Sequence, residues 1–479
     1  MNLPATKRVR WDDTVEPPQD HHHQRPNAIE KNLPNTATPH DICPPPSTSC
    51  KANDAVRLSS GLRNVFAVRS VDELGPEDVG HGGFQPTFTH QLFDDEKIEG
   101  YSDGDVKIRL LYVATSLHFL VKISTSDKDA AKWADIMTRL SKALPPPDQY
   151  AIDEPSFCRQ LEKRRREFMP PGTRVHEYKK NSKTFSVYRA TGEDPGAREY
   201  HGRAQCLAPW FIESADSIDL EDDRWEVFYV FEEAASREVL SEKWRPEAFV
   251  GYFTVFGFRN PVKGVSLRIC QALILPQFQR QGQGQALLAY VYSLARSRES
   301  VFEVTVEDPA PGFEKVRNFV DAQTLRDHKV FPAELLAPNT FKRPPKDVVQ
   351  AAHEAVKLTV SQVEIGFDVL KARDVKLTAE FSSPAYFADV SKPSSRESFC
   401  ANEAVSVTGN HNSEADDSRK RFRLMVKRRL LKGYGEELST DSATRKHQLE
   451  ELYREIEGGI LSLGAKLRVE KGRDAGNAS

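Results

Sequence analysis

The sequence holds few cysteines for its length, and none close enough to another to work as a pair. Its six, Cys43, Cys50, Cys158, Cys206, Cys270 and Cys400, are scattered through 479 residues without a C-x-x-C. That spacing excludes a zinc ribbon and a dense disulfide framework, and it points to a reducing compartment. An excess of charge of one sign is also missing. Lys and Arg number 67 against 70 Asp and Glu, a net charge of -3, so bulk attraction to nucleic acid or to a membrane is excluded and a charged partner must be read by a local patch. No apolar run approaches the ~18 residues of a membrane span. The opening "MNLPATKRVRWDD" lacks the apolar core of a secretory leader. Internal repeats are absent too. A soluble, intracellular chain is expected.

What is present suits about two or three domains. Hydrophobic residues make up 39% and charged residues 29% of the chain, enough for a buried core under a well-solvated surface. Residues 1–58, with "EPPQDHHHQRPN" and "CPPPSTSC", bury too little apolar surface to offset ordering entropy and read as a disordered tail. Within it Lys7-Arg8-Val9-Arg10 is either a weak nuclear-import signal or a solvated run, and His21 to His23 read as solvated. Residues 59–150 alternate apolar and polar ("RNVFAVRSV", "DVKIRLLYVATSLHFLVKIS"), the period of strands in a small mixed α/β domain.

"KALPPPDQYAIDEP" (142–155) reads as a linker, followed by helical patterns at "SFCRQLEKRRREFM" and around "REYHGRAQCLAPWFIESA". Residues 151–330 form the expected core, with strands at "WEVFYVFEE", "AFVGYFTVFGFR" and "SLRICQALILP". Helical patterns dominate 331–479, interrupted by a Ser/Asn/Glu-rich insertion at about 382–418. The basic run 419–432 spaces Phe422, Met425, Val426, Leu430 and Leu431 along one face. It suits an amphipathic helix packed on the domain better than a nucleic-acid contact. Trp210, Trp225 and Trp244 read as core or near-core.

The most informative stretch is "LILPQFQRQGQGQALLAYV" (273–291). A strand pattern runs into Gly282 and Gly284, and then Leu287, Leu288, Val291, Leu294 and Ala295 recur at helical spacing. Glycines permit positive φ and leave no Cβ to obstruct a ligand. The first N–H groups of the helix lack intrahelical partners, which suits phosphate or pyrophosphate. Gln279, Arg280, Gln281, Gln283 and Gln285 add donors. No Gly-Lys-Ser/Thr follows, which excludes a Walker loop, and two glycines fit a Rossmann fingerprint badly. Past the next strand, "VTVEDPAPGFEKVRNF" sets Glu307 and Asp308 at a strand's C-terminal end, where ligands gather in α/β sheets. Alone, Asp before Pro is a turn starter. Beside an anion-holding loop, a carboxylate suits a general base, because a lysine with pKa of about 10.4 must lose a proton before its amine reacts.

Together "LILPQFQRQGQGQALL" and "VTVEDPAPGFEKVRNFV" resemble the type B histone acetyltransferase catalytic subunits of the GCN5-related N-acetyltransferase superfamily. Further likeness lies at 87–101 ("FTHQLFDDEKIEGY"), 198–225, 251–258 and 422–431. The resemblance implies an α/β acetyltransferase core with an N-terminal mixed α/β domain and a C-terminal helical region. It implies transfer of acetyl from acetyl-CoA, without a metal, to lysine ε-amines on the N-terminal tail of newly made histone H4, by direct attack with Glu307 as general base. Glu213 and Asp308 would line the site. Gln279, Arg280, Gln281, Gly282, Gln283, Gly284 and Gln285 would wrap the pyrophosphate, and Ala272, Leu273 and Ile274 would offer backbone groups to the pantetheine arm.

Phe256, Gly257 and Phe258, with Asp94, Asp95 and Glu96, would touch the histone tail. A WD-repeat histone-chaperone subunit is the implied partner, with neither membrane nor direct nucleic-acid binding, in nucleus and cytoplasm. Arg280 and Gln283 depart from the small residues and histidine common in the family's loop. The alternatives are an acetyltransferase of the same superfamily acting on another amine, and a non-catalytic histone escort. Cys270, four residues before Ile274, is the candidate for a covalent route, although a cysteine in an apolar strand usually serves as a small core residue. The loop 212–223 carries Glu213, Asp216, Asp219, Glu221, Asp222 and Asp223, six acids in all. Such a loop either steers basic peptides or is simply solvated.

Overall fold

In the computed structural model, which describes residues 49–61, 84–125, 129–233, 246–338, 340–373, 375 and 413–476, the β-branched and aromatic runs become strands of three sheets. Met1–Ser47 is a separate unit outside the described residues. Also outside them lie 63–71, Trp244 and residues 382–412 of the expected insertion.

The chain opens with β1 (Ser49–Lys51), α1 (Ala52–Ala55), β2 (Val56–Gly61), β3 (Lys97–Glu99), β4 (Val106–Val113), β5 (Phe119–Thr125), α2 (Ala130–Leu140), β6 (Tyr150–Ala151) and α3 (Glu154–Arg166). Next come β7 (Thr173–Lys180), β8 (Lys183–Ala190), α4 (Ala197–Ala204), β9 (Trp225–Glu233), β10 (Pro246–Asn260), β11 (Gly264–Ile274), α5 (Gln283–Ser297), β12 (Val301–Val306) and α6 (Pro311–Asp327). It ends in α7 (Ala333–Leu336), α8 (Lys346–Val356), α9 (Val360–Ala372), α10 (Ser413–Tyr434) and α11 (Ser442–Gly476).

β1 pairs with β3, and a four-stranded sheet runs β2-β4-β5-β6. The third sheet has six strands in the order β12-β11-β10-β9-β8-β7, antiparallel except for the β11–β12 pair. Consecutive antiparallel strands need only short turns, whereas the parallel pair is bridged by α5, which crosses between β11 and β12. This is the expected α/β core. The turn after β4 docks on it: Phe249 N–H donates to Ala114 O at 2.7 Å, Tyr200 Oη to Thr115 O at 2.9 Å and Arg203 Nε to Ser116 O at 2.8 Å.

Several boundaries differ from the sequence reading. Residues 49–58, expected in the tail, are ordered, because Cys50, Ala52, Val56 and Leu58 are buried in the core. In the expected linker, Tyr150 and Ala151 pair with β5, and Ala143 and Leu144 are buried. The helix around Tyr200 stops at Ala204 and tightens into a 3₁₀ segment, Gln205–Trp210, that contains Pro209. The β7–β8 hairpin was not anticipated: β7 ("TRVHEYKK") is a polar edge strand with no apolar alternation to betray it. Its signal was the turn. Asn181 and Ser182 both adopt positive φ (49° and 64°) between two strands, as a two-residue hairpin requires. Residues 413–418 of the expected insertion are the start of α10. On that helix Phe422, Met425, Val426 and Leu430 are buried as expected, but Leu431 is 42% exposed. Trp210 is fully buried and Trp225 partly so.

Candidate active site

The site is built where two strands part. β11 pairs with β12 from Val265↔Val301 to Ile269↔Val306, and the last rung is Glu307 N–H to Ile269 O at 2.9 Å. Beyond it β11 continues to Ile274 against β10 alone. At the parting point the register with β10 shifts between Thr254 and Val255, leaving Cys270 as an extra, bulged residue. Gln271 N–H donates to Thr254 Oγ1 at 2.9 Å and Leu275 N–H to Val250 O at 3.0 Å. Alternation therefore turns the backbone groups of Ala272 and Ile274 to the open edge. That edge has no partner strand and, apart from Ile274 O, which accepts from Gln279 Nε2, is able to receive an extended, amide-bearing ligand. Gly251 allows β10 to approach so closely, since a Cβ there would lie 2.1 Å from Leu273 O.

The glycine loop follows. Arg280 (φ 59°) and Gly282 (φ 85°) take left-handed conformations that turn the chain into α5, with Gly282 as N-cap. The first intrahelical bond is Ala286 N–H to Gly282 O at 3.0 Å. This leaves the N–H groups of Gln283, Gly284 and Gln285 available at the positive end of the helix, whose first turn carries no acid. A Cβ on Gly284 would meet only Ile274 Cγ1, at 3.9 Å, so the glycine leaves room for a ligand between the loop and the strand end. This open cradle fits the pyrophosphate of acetyl-CoA.

Three of the loop's glutamines make hydrogen bonds within the chain. Gln279 Nε2 donates to Ile274 O at 2.8 Å, Gln281 Nε2 to Gln277 O at 2.7 Å, and Gln283 Oε1 accepts from Tyr178 Oη at 2.6 Å. The Gln279 and Gln281 amides brace the loop itself, whereas Gln283 Nε2 keeps no partner and stands with the backbone N–H groups as a donor.

Glu307 is exposed at the parting point, and Asp308 beside it is exposed with φ 28°. The Cys270 thiol donates to Arg268 O at 3.6 Å, with the Glu307 carboxylate near enough to act on it. Burial first, and then that carboxylate, push its pKa up, so the thiolate needed for a covalent route is disfavoured. Across β11, Phe256 pairs with Arg268 while the neighbouring Ile269 O accepts from Glu307 N–H, which brings Phe256 and Glu307 to one place. Phe256 is nearly buried, edge-on to Trp225 at 4.7 Å, while Phe258 is 40% exposed. Arg224 and Arg268 lie over the Phe256 and Phe258 rings at 4.6 and 4.3 Å.

The loop bearing Glu213 is tied to β11. Gln271, buried, donates from Nε2 to Asp216 O at 2.7 Å and accepts from Tyr252 Oη at 2.8 Å. Of the six acids, Glu221 pairs with Arg198 (2.9 Å), Asp222 with Arg224 (2.6 Å) and Asp223 with Arg259 (3.1 Å). The Arg224 hydrogen bonds hold Asp222 down at about 2. Asp219 accepts from Glu221 N–H at 2.8 Å. The Glu213, Asp216 and Asp219 carboxylates keep no ion-pair partner among the described residues, so the loop's attraction for a basic peptide narrows to those three. Asp94 to Glu96 form a tight 3₁₀ turn. Asp94 is bound by Arg139 at 2.9 Å, and that hydrogen bond lowers its pKa. Three residues earlier Gln91 Nε2 donates to Pro209 O and Ile212 O, at 2.8 and 3.0 Å, docking this segment beside Glu213. Lys180 was missed altogether: its Nζ would lie 3.5 Å from a Cβ on Gly282.

Residues 48–213 match the family described as "Histone acetyl transferase HAT1 N-terminus". A "Histone acetyltransferase type B catalytic subunit" of Homo sapiens is 32% identical over 315 residues, covering 62% of this chain and 71% of that protein. The Rattus norvegicus protein of the same name is 35% identical over 280 residues, 54% of this chain and 63% of its own length, which is under two thirds of that relative. That of Aspergillus oryzae is 26% identical over 464 residues, 87% of this chain and 85% of its own. Among solved structures, an aminoglycoside acetyltransferase from an uncultured soil metagenomic sample aligns at 16% identity over 26% of this chain and 78% of its own, with a TM-score of 0.20. With an open strand edge, a glycine loop and a carboxylate at the parting point, and with relatives of one name along most of its length, the chain belongs to the family of type B histone acetyltransferase catalytic subunits.

Proposed function

We propose that this chain transfers acetyl from acetyl-CoA to lysine ε-amines of the histone H4 tail, with Glu307 as general base. The observation that carries this reading is the parting of β11 from β12 at Ile269, which sets an unpaired strand edge, an anion-holding loop and Glu307 around one opening. The shared name of the relatives supports the substrate class. Bound acetyl-CoA supplies the acetyl group as a thioester. The N–H groups of Gln283, Gly284 and Gln285 hold phosphate oxygens, and the edge groups of Ala272 and Ile274 orient an extended arm. Glu307 takes a proton from the incoming ammonium, directly or through one water. The Glu307 N–H bond to Ile269 O fixes where that residue leaves β12. Glu213, Asp216 and Asp219, with the exposed Asp95 and the half-buried Glu96, attract the basic tail, and Phe256 to Phe258 form one wall of its path. A WD-repeat chaperone partner and action in nucleus and cytoplasm belong to the same reading.

Incubating the chain with acetyl-CoA and an H4 tail peptide, beside Glu307→Gln, tests it by mass spectrometry of acetyl-lysine. A loss of roughly 100-fold or more in the variant is expected of a general base. Equal rates would remove Glu307 from the role, and no transfer by either protein would turn the reading to another amine.

A further inference from the structure

We propose that Lys180, on the β7–β8 hairpin, is a phosphate-binding residue that clamps the pyrophosphate of the cofactor against the start of α5. This rests on the reading of the glycine loop as an acetyl-CoA site.

The placement follows from strand period. On β7, His176, Tyr178 and Lys180 stand at i, i+2 and i+4 and share one face. The first two define what that face meets. The His176 ring stacks on Tyr290 of α5 with centroids 5.0 Å apart, and Tyr178 Oη donates to Gln283 Oε1 at 2.6 Å. Lys180, one step further, reaches the N-cap. A Cβ on Gly282 would lie 3.4 Å from its Cε and 3.5 Å from its Nζ. The turn through Asn181 and Ser182, both at positive φ, fixes where β7 ends.

The electrostatics need an anion there. A cation beside a helix N-terminus meets the positive end of the dipole. The first turn of α5 offers no acid to offset it, and Arg280 adds a second positive charge to the loop. Lys183, the cross-strand neighbour of Lys180, is neutralised by Glu232. Lys180 has no ion-pair partner among the described residues. Nearby, the buried Gln283 leaves Nε2 without a partner. A bound pyrophosphate would turn this repulsive set into an attractive one, with helix N–H groups on one side and an ammonium on the other. Lys180 carries the charge that the loop's amides lack: the Gln279 and Gln281 Nε2 groups are committed to Ile274 O and Gln277 O, and the free Gln283 Nε2 is a neutral donor.

The test is calorimetric binding of coenzyme A, dephospho-coenzyme A (which keeps the pyrophosphate but lacks the 3′-phosphate) and pantetheine to the full chain and to Lys180→Met and Lys180→Arg. Lys180 is exposed at a hairpin end, so the variants should fold. The expected result is a Kd roughly tenfold weaker for both nucleotides in Lys180→Met, pantetheine unchanged, and substantial rescue by Lys180→Arg. Unaltered nucleotide affinity in Lys180→Met, with the parent binding normally, overturns this inference and leaves the acetyl-CoA reading standing. A loss seen with coenzyme A alone moves the lysine to the 3′-phosphate and overturns the pyrophosphate assignment. Failure of the parent to bind coenzyme A overturns both.

Discussion

Asp321 sits in α6, the helix that follows Glu307, and its carboxyl is fully buried. Facing it are Arg317, whose Nε is 3.9 Å away, Tyr292 of α5 and Gln362 of α9, whose amide, turned to satisfy its neighbours, donates to Asp321 Oδ2 at 2.8 Å. Oδ1 has no hydrogen-bond partner in the geometry. Burial outweighs the nearby guanidinium and raises the acid from its ordinary 3.8 to about 7. A raised folded pKa means the native state keeps a proton that the unfolded chain has released. The stabilisation is complete below the unfolded value and is lost as pH rises to about 7. At about 1.36 kcal/mol per unit, the rise from 3.8 to about 7 corresponds to roughly 4 kcal/mol.

The parent profile alone would hide this. His118 and His201 are both depressed by burial to about 3. Being buried neutral, each contributes the opposite slope, with stability lost as pH falls below the unfolded value of 6.5. The informative quantity is therefore the difference between Asp321→Asn and the parent, in which the histidines cancel. Urea midpoints for both proteins from about pH 5 to about pH 8 should show the variant gaining on the parent by about 3 kcal/mol up to pH 7, then levelling off. Parallel profiles, or a gap that narrows as pH rises, would refute the assignment of a protonated, buried Asp321.

Three further outcomes follow from particular contacts. Gln271→Leu breaks the tie from β11 to Asp216 and leaves the Tyr252 hydroxyl unpaired. Peptide KM should rise severalfold with coenzyme A affinity unchanged, at a stability cost of about 1–3 kcal/mol; weaker coenzyme A binding with an unchanged peptide KM would contradict the positioning role. Cys270→Ala should keep most of its transferase activity under mass-spectrometric assay, since the raised thiol pKa disfavours an acyl-cysteine, and its complete loss would reinstate the covalent route. Asp368 is buried between Arg343 and Arg429, joining α9 to α10. Asp368→Asn strands both guanidinium groups and should cost about 3–5 kcal/mol in denaturant unfolding, whereas a change below about 1 kcal/mol would show that the pair is solvated.

Much of the core could be read locally. The run from 264 to 306 carries strand period, two glycines, helical period and strand period again, and each is set by neighbours within a few residues. The position of Glu307 at the end of β12 was legible because the strand period stops there, at an acid pair before Pro309. The apolar face of α10 was legible from spacing too, apart from Leu431, which falls just off the stripe that α10 buries.

Other features depended on residues far apart in the chain. Polar, edge-on β7 has no apolar signature, so neither the hairpin nor the approach of Lys180 to Gly282 could be counted from spacing. The acid run 212–223 looked uniform, yet arginines at 198, 224 and 259 neutralise three of its members, and only the fold brings positions 198 and 259 to them. The glutamines of the loop looked alike in sequence, yet Gln279 donates to Ile274 O, Gln281 to Gln277 O, and Gln283 accepts from Tyr178. Sequence by itself determined the elements and the chemistry they carry, because periodicity, turn residues and side-chain type are local. Tertiary structure decided which strand edge stays open, which charges remain unpaired and what stands across the cradle, because those depend on pairing and desolvation between segments that only packing brings together.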